Sequence, residues 1–320
     1  MSDIAVIGSG AFGSGLAIAQ AAAGRSVTLW GRNPDVMQEI RKTRAVPRLP
    51  GVTLGPFVTP TASLDDTDNA PILLLALPAQ ALRAFLAENL DRFVGRSLVA
   101  CCKGIDLTTG LGPWSLLEQM QPNSANAILT GPSFAADIAL GLPTALTLAA
   151  DRKTVESLQE KISTPTLRLY RSTDPRGAEL GGALKNVIAI AAGVAIGAGF
   201  GESARAALIA RGFAEIARLS AALGGEQETL FGLSGLGDLV LTCTSEKSRN
   251  YKYGMALGRG DSFDTNITVE GAATTRAVVP LATKCNVDVP VAMALLDVIE
   301  GRQTPAGMAE NLLSRPLKSE

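Results

Sequence analysis

Six residues near the start of the chain, Gly8-Ser9-Gly10-Ala11-Phe12-Gly13, restrict the fold more than any other feature. They follow the apolar run Ile4-Ala5-Val6-Ile7 and precede a helix-compatible stretch at 14–23, so the pattern reads strand, glycine turn, helix. Each glycine has its own task in such a turn. Gly8 permits the tight bend, Gly10 lets the backbone approach a pyrophosphate, and Gly13 lets helix and strand pack closely. The helix N-terminus adds N–H donors and the positive end of its dipole. A glycine-rich turn with no ligand is the competing reading of the same residues.

The surrounding sequence supports a doubly wound sheet. Short β-rich apolar runs at 4–7, 26–30, 72–77, 98–101, 127–129 and 145–148 alternate with helical stretches, as βαβ units feeding a parallel sheet do. Their continuous apolarity suits strands covered on both faces. The rhythm breaks between Ile162 and Gly177, at Ser163-Thr164-Pro165 and Ser172-Thr173-Asp174-Pro175, and the domain junction is expected there. Beyond it, apolar residues recur at three- and four-residue intervals over 183–195, 204–223, 272–285 and 292–300. The expected architecture is therefore a Rossmann-like, mainly parallel sheet followed by an all-α domain. A length of 320 residues fits two domains, 1–175 for a dinucleotide and 176–320 for substrate and catalysis.

Composition removes several kinds of chemistry. The chain has no histidine, which excludes Ser-His-Asp and Cys-His catalysis and His-ligated zinc, and leaves proton transfer to Lys, Asp, Glu, Tyr or Cys. Four cysteines without a C-x-x-C pair indicate neither a zinc ribbon nor a disulfide framework, so no metal is expected and a reducing cytoplasm is the simplest home. With 29 Lys and Arg against 30 Asp and Glu, no global field holds nucleic acid or an anionic membrane. Met1-Ser2-Asp3 lacks the basic start of a signal peptide. The uncharged stretch between Lys185 and Glu202 is interrupted by glycines and falls short of the ~20 apolar residues of a span, so it reads as a buried helix running into a loop, with no stable membrane insertion.

Several polar residues stand out against this background. Arg32 occupies the position, about twenty residues past the fingerprint, where an acidic residue usually meets a ribose 2′-hydroxyl; it could hold a 2′-phosphate, or be an exposed arginine opening a helix. Lys185 follows Gly181-Gly182 on an apolar helix, where partial desolvation would lower its pKa toward a range useful for proton transfer; a lysine snorkelling from an amphipathic helix is the alternative. Asp238 ends the glycine-rich stretch Gly232-Leu233-Ser234-Gly235-Leu236-Gly237 and could orient a substrate group or cap a helix. Ser248-Arg249-Asn250, close to Lys247 and Lys252, suits a phosphate monoester or forms a solvated basic turn. Lys103 and the segment Thr130-Gly131-Pro132-Ser133-Phe134 follow expected strand ends, where ligands of doubly wound sheets bind.

Taken together, these segments resemble the bacterial-type NAD(P)-dependent glycerol-3-phosphate dehydrogenases, from Ile4 to about Leu313. The most specific are residues 8–13, Lys103-Gly104, Gly131-Pro132-Ser133-Phe134-Ala135, residues 181–190 and 235–244, Ser248-Arg249-Asn250 and Val269-Glu270-Gly271. The resemblance implies reduction of dihydroxyacetone phosphate to sn-glycerol 3-phosphate, reversibly, in support of phospholipid synthesis. It implies Lys185 as proton acceptor and donor, with Lys103 and Asp238 beside it. Lys103, Gly131, Ser133, Lys185, Asp238, Ser248, Arg249 and Asn250 match substrate contacts. Ala11, Phe12, Arg32, Lys103, Ala135, Arg249, Thr268 and Glu270 match cofactor contacts, alongside Gly8, Gly10 and Gly13. Cys101-Cys102 and Thr268 depart from the usual residues of the family.

The expected mechanism is hydride transfer to the ketone carbon while Lys185 protonates the forming alkoxide, with Ser248, Arg249 and Asn250 anchoring the phosphorylated substrate across an interdomain cleft. NADP(H) is the expected cofactor through Arg32, with NAD(H) also admissible. Family habit suggests a homodimer. The competing functions are a nucleotide-sensing regulator without catalysis and a dehydrogenase of β-hydroxy acids; the basic turn at 248–250 favours phosphate over carboxylate alone.

Overall fold

A computed structural model describes residues 2–265 and 267–313; Met1, Asn266 and residues 314–320, the end of the expected helical domain, lie outside the described residues. The first part of the chain forms one eight-stranded sheet: β1 (Ile4–Ile7), β2 (Val27–Trp30), β3 (Val58–Thr61), β4 (Ile72–Leu75), β5 (Ser97–Ala100), β6 (Ala125–Thr130), β7 (Thr144–Ala149) and β8 (Leu167–Ser172). The order is β3-β2-β1-β4-β5-β6-β7-β8, and every pairing is parallel except β6 with β7. Strands β1, β2 and β4 are buried along their whole length, as their unbroken apolar sequences require of a sheet covered on both faces.

Two strands escape the apolar-run signal, and both lie at sheet edges. β3 reads Val58-Thr59-Pro60-Thr61, and an edge position tolerates the proline because one side of the strand needs no ladder donor. β8 alternates buried and exposed residues at its start and fills the stretch between Ile162 and Gly177 that reads as a break in the sequence. Its exposed Arg168 and Arg171 are the kind of charged residue that blunts an open edge.

The strand order, not the strand direction, reverses at β1: β2 and β3 follow it on one side, β4 and β5 on the other, all parallel. The crevice outside the carboxyl ends of the strands at such a switch is where open α/β sheets take ligands. Gly8 follows β1 there, with φ +120°, and a Cβ on it would stand 2.5 Å from the Ala76 carbonyl oxygen just beyond β4.

Two compact units divide the described chain. One contains the residues up to Lys103 together with Pro113–Glu179; the other contains Gly104–Gly112 together with the residues from Leu180 onward. The second is helical apart from its loops. Its axis is the Pro175–Gly197 helix, which is apolar and long enough to cross a membrane, yet 89% of its apolar window is buried inside the protein, as a core helix is.

Glycines seat a neighbour directly on that axis. A Cβ at Gly193 would lie 2.2 Å from the Tyr251 carbonyl oxygen, and one at Gly197 would lie 2.2 Å from that of Met255. On the facing Arg249–Arg259 helix, a Cβ at Gly254 would lie 2.1 Å from the Ile190 oxygen, and one at Gly258 would lie 2.4 Å from the Val194 oxygen. Each pair is spaced by four, one turn apart on one face, so the two backbones touch. Helix-interior glycine costs about 1 kcal/mol relative to alanine, which close packing here offsets. Elsewhere in the unit, Glu215 of the Gly201–Ala222 helix accepts the Val291 and Ala292 N–H groups, at 2.7 and 3.2 Å, and so caps the Pro290–Ile299 helix.

Candidate active site

In the sheet unit the site begins at the turn after β1. Gly10 is the N-cap of the Ala11–Ala22 helix, has no side chain with which to cap it, and leaves first-turn N–H groups facing outward. A Cβ at Gly10 would find nothing within 4 Å, whereas one at Gly13 would fall 2.0 Å from the Gly8 oxygen. Thus Gly13 serves packing, and the open space at Gly10 sits beside uncapped donors. That combination fits a dinucleotide pyrophosphate. Ala11 and Phe12 form the first turn of the same helix.

Arg32 is exposed just past the carboxyl end of β2, and the next residue, Asn33, caps the Pro34–Thr43 helix through bonds from Asp35 and Val36 N–H at 3.0 and 3.2 Å. At the end of β5, Lys103 Nζ donates to the Gly131 carbonyl at 2.9 Å, and Ser133 Oγ donates to the same oxygen at 3.4 Å. Gly131 has φ +138° and a Cβ there would meet Leu146, so the strand end needs a glycine. Lys103, Gly131 and Ser133 are therefore gathered at one place. Ala135 opens the short Ala135–Ala139 helix, whose first carbonyl would lie 2.9 Å from a Cβ on Gly15 of the fingerprint helix. Burial pushes the Cys101 thiol well above its usual range, which makes it a packing residue and a poor nucleophile.

In the helical unit, Lys185 projects from the middle of the axial helix and is only 7% exposed. Its Nζ lies 3.0 Å from Asp238 Oδ1 and donates to Thr242 Oγ1 at 2.5 Å; the Thr242 hydroxyl lies 3.3 Å from the same carboxylate oxygen. Asp238 and Thr242 are 1% and 3% exposed. An ammonium this deep in a protein requires a compensating charge, and Asp238 supplies it.

Local sequence explains how the three meet. Gly181, one turn before Lys185, admits the backbone at Ser234 and Gly235, with a Cβ there only 2.8 Å from the Ser234 oxygen. Leu233–Gly237 forms a π-helical turn that runs directly into the Asp238–Thr244 helix, so Asp238 is its first residue. Four-residue spacing then puts Asp238 and Thr242 on one face. Burial pushes the neighbouring Cys243 thiol up to about 12, although Lys185 pulls it down, so the amine has no competing acid–base group in that thiol.

The basic segment is a helix start. Ser248 caps the Arg249–Arg259 helix by accepting the Tyr251 N–H at 3.2 Å, and Arg249 is exposed in the first turn. Asn250 spans two neighbours: its Nδ2 donates to Asn186 Oδ1 at 2.9 Å and its Oδ1 accepts the Gly271 N–H at 3.0 Å. It thereby ties the residue after Lys185 to the first turn of the Glu270–Lys284 helix, which Glu270 opens. Thr268 lies exposed in the loop before that helix. Asn186 and Thr242 are missing from the sequence-derived set. Their signals were present but faint: Asn186 adjoins Lys185, and Thr242 stands one helical turn after Asp238.

Comparison with known proteins points in one direction. The family model for the N-terminus of NAD-dependent glycerol-3-phosphate dehydrogenase matches residues 3–156, and that for its C-terminus matches residues 174–310. A glycerol-3-phosphate dehydrogenase designated NAD(P)+ from Paracoccus denitrificans is 56% identical over 319 residues, covering 99% of this chain and all of the relative. One of the same designation from Cereibacter sphaeroides is 56% identical over 320 residues, with the same coverage. Among solved structures, a glycerol-3-phosphate dehydrogenase from Coxiella burnetii superposes with a TM-score of 0.92 at 31% identity, covering 98% of this chain and 99% of that one.

Proposed function

Because this chain belongs to the NAD-dependent glycerol-3-phosphate dehydrogenase family, we propose that Lys185 is its acid–base group and that Arg249 anchors the substrate phosphate. The protein is an NAD(P)-dependent oxidoreductase that interconverts dihydroxyacetone phosphate and sn-glycerol 3-phosphate, the glycerol phosphate unit of phospholipids. The observation that carries the assignment is the dry Lys185–Asp238–Thr242 cluster in a chain without histidine. A carbonyl that accepts a hydride becomes an alkoxide, and a charged, preorganised donor stabilises it as it forms. Lys185 gives up a proton to that oxygen in reduction and takes it back in oxidation. Asp238 and the Thr242 hydroxyl hold Nζ in place, which lowers the reorganisation needed at the reacting atom.

The nicotinamide cofactor, when bound, supplies the hydride chemistry. Gly8, Gly10, Ala11, Phe12 and Gly13 would hold its pyrophosphate, and Lys103, Ala135, Arg249, Thr268 and Glu270 its remaining parts. Arg32, exposed past β2 with no acidic residue in its place, favours a ribose 2′-phosphate and so NADP(H) over NAD(H). Lys103, Gly131 and Ser133 are the substrate contacts of the sheet unit in this reading, and Lys185 and Asp238 those of the helical unit. Ser248 acts as the cap that sets Arg249 in position, and Asn250 spends most of its amide on Asn186 and Gly271, leaving one N–H for the phosphate. In this reading residues 1–175 supply the pyrophosphate-binding turn and residues 176–320 the acid–base group and the phosphate anchor. A reducing cytoplasm suits the four free cysteines.

The test is Lys185→Met, followed by the absorbance of NADPH and NADH during reduction of dihydroxyacetone phosphate. Loss of an acid–base group costs about 10²–10⁴-fold in rate, with cofactor affinity retained. Turnover close to wild type would remove Lys185 from the chemistry.

A further inference from the structure

We infer that Arg205 is a positioning residue for the phosphate anchor: through the Tyr251 hydroxyl it fixes the first turn of the Arg249–Arg259 helix and so sets where Arg249 and Asn250 present their donors. The inference rests on the assignment of Arg249 made above.

Tyr251 is 3% exposed and its ring belongs to the helical core. A buried phenol hydroxyl needs a partner, and Arg205 Nη1 supplies one at 3.2 Å from the Gly201–Ala222 helix, 46 residues earlier in the chain. The guanidinium is itself aimed by an ion pair with Glu202, three residues before it.

Tyr251 is therefore held at three points. Ser248 Oγ takes its N–H, its carbonyl lies against the Cα of Gly193, and Arg205 takes its hydroxyl. The two residues between Ser248 and Tyr251 are Arg249 and Asn250. Arg249 is exposed, so packing does not aim its side chain, and its position depends on the backbone of that turn. A binding constellation tolerates displacements of only about 0.5 Å, so loosening the phenol should weaken phosphate capture before it touches proton transfer.

Steady-state kinetics of the full chain with dihydroxyacetone phosphate, and with unphosphorylated dihydroxyacetone, test this. Arg205→Met and Tyr251→Phe should each raise KM for the phosphorylated substrate about tenfold and leave kcat within about twofold, the signature of lost uniform binding. The double variant should be no worse than either single one, because both remove the same contact. Arg205→Lys should recover part of the loss. The kcat/KM for dihydroxyacetone should not move, whereas a general structural lesion would lower it too. A KM that rises in Arg205→Met but not in Tyr251→Phe would mean direct contact with the phosphate and overturn the positioning role. An unchanged KM in both, beside a raised KM in Arg249→Ala, overturns this inference alone. An unchanged KM in Arg249→Ala overturns the anchor itself, and this inference with it.

Discussion

In the sheet unit the glycine turn spans six consecutive residues, 8–13, whereas in the helical unit Lys185 meets Thr242 across 57 residues of chain. The first is built by turn geometry: one positive φ at Gly8, one close approach at Gly13, one open space at Gly10. The second is built by packing: the axial helix, the π-helical turn and the Asp238–Thr244 helix must all be seated before an amine, a carboxylate and a hydroxyl coincide. A site of the first kind survives as long as its own loop does. A site of the second kind is only as stable as the core around it.

The largest expected effect follows from the helix pair that carries the second site. Gly254→Val places carbon where the Ile190 oxygen already stands, and should destabilise the helical unit by more than about 4 kcal/mol, the range of severe core disruption. Thermal unfolding measures it. An unaltered transition would break the claim that packing makes this site. The sheet unit offers a paired contrast. Gly13→Ala should cost about 1–3 kcal/mol through overpacking against Gly8, while Gly10→Ala, in open space at φ −69°, should leave stability within about 0.5 kcal/mol and weaken dinucleotide binding instead. Similar losses of stability in both would show that the turn has no division of labour.

A pH titration of stability sharpens the comparison further. Burial pushes the Glu215 carboxyl up to about 7, against two backbone N–H bonds that pull it down. Its folded pKa thus exceeds its unfolded one. The associated stability is complete below about pH 4.5 and is lost as pH rises through 7, by up to about 3 kcal/mol. Glu215→Gln should flatten that slope in urea denaturation curves recorded between pH 5 and 8. A slope unchanged by the substitution would move its origin elsewhere, with Glu179, also buried and raised to about 7 beside Ser115, as the next group to replace. A smaller effect than that of Glu215 is expected at Arg32. Being exposed, it should give Arg32→Ala a loss of about 1–2 kcal/mol in NADPH binding and little change for NADH, read from the two dissociation constants. Equal losses for both cofactors would remove the 2′-phosphate assignment.

The same contrast explains what could be read from the sequence. Strands β1, β2 and β4 announce themselves because full burial demands unbroken apolar runs, and the fingerprint is legible because all its determinants are neighbours. β3 and β8 are hidden because an edge strand has weaker requirements: one admits Pro60, the other alternates. The antiparallel pairing of β6 with β7 leaves no trace in composition at all. In the helical unit Lys185 and Asp238 stand out as charged residues beside glycines, and Ser248-Arg249-Asn250 as a basic turn between Lys247 and Lys252. Thr242, Asn186 and Glu215 look ordinary in one dimension, and only the tertiary contacts show Thr242 on the amine, Asn186 on Asn250 and Glu215 at a helix start.

One feature of the chain path bears on how the protein is made. Residues Gly104–Gly112 sit in the first half of the sequence but pack with the second unit, where Ile105 is fully enclosed in a core otherwise drawn from Leu180 onward. As the polypeptide emerges from the ribosome, this nine-residue excursion stays without its apolar surroundings until most of the helical segments have been translated. The sheet unit can begin to condense early, but the loop that follows β5 must wait, so Ile105 lacks its final apolar enclosure until the helical segments arrive. Cutting the gene near codon 175 would make that lack permanent.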